Sequence, residues 1–163
     1  MTPIILLDAL EAFIKENTKD IIMPVRVKNK PIGGVKERAA GVYKMRLPDK
    51  DAETQQIPYI LLQFVTGKDD QPEGERPESE SRVRIVIAAY SEDAGEGAYY
   101  VLNLITRIRT ALLKAGVVGD QFLLCPPLEY LVYPDSTAPY FMGEMMSVWK
   151  TPTIESEVNI LWH

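Results

Sequence analysis

The stretch "VLNLITRIRTALLKAG", residues 101–116, constrains the fold more than any other part of this chain. Val101, Leu104, Ile105, Ile108, Ala111 and Leu112 fall on one face at helical spacing, with Arg107, Thr110 and Lys114 on the others. Gly116 supplies the residue that ends such a helix most easily. A one-sided helix of this kind needs a second layer to bury its stripe. The material for that layer has a period of two. "RVRIVIAAY", residues 82–90, puts Val83, Ile85, Ile87 and Ala89 on one side. "IPYILLQFVTG", residues 57–67, is β-branched, aromatic and apolar enough for a strand buried on both faces.

The N-terminus predicts a shorter helix over 3–17, with Thr2 as cap and Pro3 at the first helical position. Leu6, Leu7, Leu10, Phe13 and Ile14 form its apolar side. Between the two strong strands lies "KDDQPEGERPESES", fourteen residues without an apolar side chain. It predicts a mobile polar loop over 67–81 joining an antiparallel pair. "QFLLCPPLEYLVYPD" reads as a strand over 121–133 broken at Cys125-Pro126-Pro127. Two more extended runs follow, at 140–149 and 154–161. Residues 19–50 alternate weakly around "NKPIGGVKERA" and predict a β arm or hairpin. The sum is one α+β domain spanning 1–163. Its mixed, mainly antiparallel sheet carries the N-terminal helix and the long central helix.

Charge is unevenly spread. The whole chain carries −5, yet residues 19–50 hold nine Lys or Arg against three acids, a local +6, leaving −11 elsewhere. Such a block can mean nucleic acid, which stays open as the minor reading; here it lacks a recognised binding motif and Tyr43 is its single aromatic. A solvated or protein-facing arm is the expectation. No apolar run approaches the ~20 residues of a membrane span, and the N-terminus lacks a basic leader and cleavage site. The lone cysteine, Cys125, excludes an internal disulfide and fits a reducing cytosol.

The residues of catalysis are sparse. No phosphate-binding glycine motif occurs; "GEGAYY" reads as the entry to the long helix. His163, the only histidine, is the last residue, and with one cysteine it cannot build a tetrahedral zinc site. The carboxylate pairs Asp69/Asp70, Glu92/Asp93 and Glu155/Glu157 read as solvated, and Cys125 as a small buried group. The expectation is a chain that is not an enzyme, with no cofactor and no metal.

"YFMGEMMSVWKTPTIE", residues 140–155, gathers three of the six methionines and one of the two tryptophans. Phe141, Gly143, Met145, Ser147 and Trp149 share one parity; Met142, Glu144, Met146 and Val148 share the other. Both faces of this strand are therefore apolar. It reads as a core strand with one parity free to line a subunit interface.

Taken with "IPYILLQFVTGKDD", "RVRIVIAAYSED" and "VLNLITRIRTALLKAG", this stretch resembles small tail proteins of Gram-positive phages and prophages, over roughly residues 57–158. The family is that of tail terminator or tail completion proteins, similar in role to the lambda-type terminator. The resemblance implies a homo-oligomer, a hexameric ring that caps the tail tube, stops its polymerisation and offers a docking surface to the head. Its partners would be the tail tube protein and a head completion or connector protein, with no membrane and with DNA only passing through the ring. It would be assembled in the host cytoplasm and reside in the virion tail. The candidate interface residues are Met142, Met146, Trp149, Lys28, Lys30 and Lys36. Two alternatives stay open: another head–tail junction protein, a connector or stopper, and a small cytosolic enzyme or ligand-binding domain.

Overall fold

The computed structural model describes residues 2–25, 37–49 and 57–155. Helix α1 spans Thr2–Thr18, followed by β1 Met23–Pro24, β2 Glu37–Arg38, β3 Gly41–Lys44, β4 Tyr59–Asp70 and β5 Glu78–Tyr90. Helix α2 spans Ala94–Ala115, and β6 Val117–Val118, β7 Phe122–Leu124, β8 Glu129–Val132 and β9 Tyr140–Lys150 complete the order. The α2 helix begins earlier than "GEGAYY" suggests, because Asp93 is extended and its carboxylate accepts the Gly95 N–H at 2.7 Å. Gly116 ends it at φ 68°, donating its N–H to the Leu112 carbonyl at 2.9 Å.

The main sheet runs β3-β4-β5-β9-β7-β6, with β8 also beside β9, and among the described residues only β3–β4 is parallel. This is the expected α+β architecture with a mainly antiparallel sheet. Both helices pack on one face. Leu6, Leu10 and Ile14 of α1 and Leu104, Ile105 and Ile108 of α2 meet Ile60, Leu62, Val83, Ile85, Ile87, Met145 and Trp149. A period of two on the strands and 3.6 on the helices brings these residues together. Two glycines set how closely α2 descends on β9. A Cβ at Gly97 would lie 2.0 Å from the Phe141 ring, and one at Gly143 would lie 2.7 Å from Val101 Cγ1.

The expected loop over 67–81 is corrected. β4 continues to Asp70, β5 begins at Glu78, and pairing runs without a break from Thr66↔Arg82 to Asp70↔Glu78. The root of this ribbon is stitched by polar groups. The Ser79 hydroxyl donates to Asp69 at 2.7 Å, and the Thr151 N–H donates to the Ser79 carbonyl at 3.0 Å. Thr151 Oγ1 lies 3.0 Å from Ser79 Oγ, and Ser81 and Thr151 are buried. Strand pairing and side-chain bonds order this segment without the apolar burial that its composition lacks. Replacing 71–77 by an Asn-Gly turn should therefore leave the melting temperature within a few degrees. Deleting 68–80 removes Ser79 and its bonds, each contributing ~1 kcal/mol, and should lower it by about 5–10 °C. Calorimetry on both variants checks the contrast.

The break expected at Cys125-Pro126-Pro127 and the β pairing expected in the 19–50 arm are both present among the described residues. Residues 121–133 form two strands, β7 and β8, because Cys125-Pro126-Pro127 separates them. Each pairs with β9, at Leu123↔Lys150 and Glu129↔Met146. In the 19–50 arm, β1 and β2 form a two-residue ladder while β3 joins the main sheet. Lys28, Lys30 and Lys36 lie outside the described residues. So does most of the run at 154–161; Ile154 and Glu155 carry no strand.

Candidate functional site: the helix-free face of the sheet

Strand β9 divides the methionine-rich stretch by parity. Phe141, Gly143, Met145, Ser147 and Trp149 face the helices and are buried, while Met142, Glu144, Met146 and Val148 are half-buried on the other side. Trp149 is therefore not an interface residue. It has no exposed surface; its Nε1 donates to Ser147 Oγ at 2.9 Å, and that hydroxyl donates to the Val83 carbonyl at 2.9 Å. A buried indole N–H needs a partner, and the serine two residues back, on the same face, supplies it. Met142 and Met146 remain available for contact.

The helix-free face has an apolar half and a mixed half. Tyr59, Leu61, Val86 and Ala88 are buried there with Tyr43, Leu47, Ile57 and Met142 against them. Burial raises the pKa of the Tyr59 hydroxyl above its ordinary value. Among the described residues no helix packs on this side. Arg84 lies next, its Nε donating to Glu144 Oε2 and its Nη2 to the Tyr133 hydroxyl at 3.1 Å. These two partners hold the guanidinium charge still more firmly. Beyond them Leu131, Leu123 and Val117 stand nearly half exposed. Register aligns Arg84, Met146 and Glu129 in one row across β5, β9 and β8, and Val86, Glu144 and Leu131 in the next.

The sequence signal for this face was the opposite parity of "RVRIVIAAY" and "YFMGEMMSVWK": Arg84 and Glu144 sit in apolar strands where only one side needs to be dry. Nothing in the sequence paired them or brought Tyr133 to the same spot.

Elsewhere the polar groups have structural partners. Asp93 caps α2, Glu92 accepts from the Tyr90 hydroxyl at 3.0 Å, and Asp69 accepts from Ser79. Arg107 binds Asp20 at 2.7 Å and holds its carboxyl below the ordinary range, tying the arm to α2. Lys44 of β3 is paired with Asp8 of α1, which raises its pKa. Cys125 is half-buried, its thiol 3.6 Å from the Leu123 carbonyl. An open hollow of about 530 Å³ is lined by Glu96, Tyr99, Tyr100, Leu102, Asn103 and Thr106 of α2. A smaller one of about 310 Å³ lies by Tyr133, Asp135, Ser136 and Met142. Among the described residues no cluster of three metal-ligating side chains occurs, and no helix is long and apolar enough to cross a membrane. Comparison of the chain with protein-family models and with curated proteins finds no match to either.

Proposed function

We propose that this chain is a structural subunit of phage tail assembly, a tail terminator that closes into a ring, caps the tail tube and presents a surface to the head. The observation that carries this reading is the end of the β4–β5 ribbon. From Val65 to Glu78 every residue but Pro72 is exposed, although the root of the ribbon is fixed by Ser79 and Thr151. An ordered ribbon that buries nothing in its own subunit is suited to reach a neighbour. The strand and helix segments that carry the family resemblance are also those that build the central sheet and α2, and on the helix-free face Leu131, Leu123 and Val117 stand nearly half exposed for a partner.

In a ring, each subunit offers one surface and receives a different one. The ribbon segment Lys68–Ser81 holds six acids against two bases, a local −4, opposite in sign to the +6 of residues 19–50. This charge split would set the direction of assembly and penalise wrong pairings. Assembly followed by light scattering should weaken between 0.1 and 1 M salt, where the screening length falls from ~10 to ~3 Å. Reversing Lys28, Lys30 and Lys36 to Glu should weaken it at low salt as well. A parent that stays monomeric under every condition would refute the ring. A ring indifferent to salt and to the reversal would refute only the charge-directed contact.

A further inference from the structure

We infer that two copies of this chain pair face to face through the helix-free side of the sheet, about a two-fold axis running along β9. The row Arg84–Met146–Glu129 carries the argument. Such an axis keeps position along β9 and exchanges its two flanks, so Arg84 on β5 of one copy faces Glu129 on β8 of the other, and the reverse. The axis thus sets Arg84 against Glu129 twice over, each arginine staying paired with Glu144 in its own subunit. One row along, the same operation sets Leu131, 46% exposed, opposite the row of the partner's Val86, whose own side chain is buried in its subunit. Met146 meets its own copy at the centre, where an unbranched thioether adapts to an irregular contact.

Glu144 also faces its own copy across the axis, but each carboxylate is already neutralised by Arg84 within its subunit. Arg84 can serve both partners: its Nε and one Nη2 proton are directed at Glu144 and Tyr133, leaving donors of the planar fork for Glu129. Glu129 is exposed and makes no ion pair among the described residues. Stacked sheets keep their strand directions within about 30°, so the match holds near the centre of the contact and loosens toward the ends of β9. The pairing is isologous. It stands apart from the head-to-tail contacts of a ring and does not depend on them.

The test is a charge exchange read by sedimentation velocity over a dilution series. Glu129→Arg sets two arginines against each other at both contacts, and should raise the concentration needed for pairing by roughly tenfold or more. Arg84→Glu sets two glutamates against each other, with the same effect. Mixed together, the two variants recover an Arg–Glu pair at both positions, so a mixed pair should form at close to the parent concentration. Arg84→Glu leaves Glu144 beside a new acid and is admitted only if its melting curve shows a folded protein. If it does not fold, Leu131→Asp takes its place and should weaken pairing alongside Glu129→Arg. The inference is overturned if the parent does not pair, if Glu129→Arg pairs as readily as the parent, or if the mixture of folded variants does no better than each alone.

Discussion

Ile105→Asp should leave the chain without a cooperative melting transition at 25 °C. Ile105 is 1% exposed on the sheet-facing side of α2, and its Cδ1 would stand 3.1 Å from a Cβ at Gly143, so the helix and β9 are in direct contact there. The substitution removes an apolar side chain from a dense core, a loss of about 2–5 kcal/mol for truncation alone. It also introduces a carboxyl with no partner, which adds several kcal/mol whether it ionises or stays protonated. The sum rivals the 5–15 kcal/mol by which folded domains are stable. Leu102→Asp, on the solvent side of the same helix at 43% exposure, should change stability by no more than about 0.5 kcal/mol. Circular dichroism and thermal melts of the pair check the contrast. A folded, cooperatively melting Ile105→Asp protein would contradict the helix register.

Trp149→Ala is expected to destabilise the isolated subunit by about 3–5 kcal/mol, the range for removing a buried aromatic ring. That corresponds to a fall in melting temperature on the order of 10 °C. Part of the loss is packing among the helix-side residues, and part is the bond to Ser147, whose hydroxyl would lose its donor. Trp149→Phe keeps most of the ring area and removes the Nε1 bond, so it should lose ~1 kcal/mol from that bond plus a smaller packing term. Met146→Ala, on the helix-free face, should change stability much less. Denaturant titration separates these three. A Trp149→Ala protein that melted like the parent yet failed to assemble would return Trp149 to the interface.

The periodicities carried most of the fold into view. α1, α2 and β5 follow from spacing, because burial on one face imposes a period that survives in the residue order, while β4 and the two-sided β9 follow from β-branched, aromatic and apolar content on both parities. The tryptophan shows where this reading ends. Spacing puts Trp149 on a parity, but which parity faces the helices depends on where α2 lands, and that is set by Gly97 and Gly143, residues with no side chain to mark them. The ribbon was missed for a related reason. Its order comes from backbone pairing and from the bonds of Ser79 and Thr151, none of which changes the polar composition that suggested a loop. The row Arg84–Met146–Glu129 depends on register between strands far apart in sequence, β5 against β9 and β9 against β8, and only the assembled sheet contains it.

The central claim, that the chain ends tail tubes, is tested most directly by adding purified protein to polymerising tail tube protein and measuring tube lengths by electron microscopy. The expected result is shorter tubes in proportion to the amount added, each with a ring of density at one tip. A connector or stopper acting only at the head side would leave tube lengths unchanged. Tubes of unaltered length with bare tips would contradict the account.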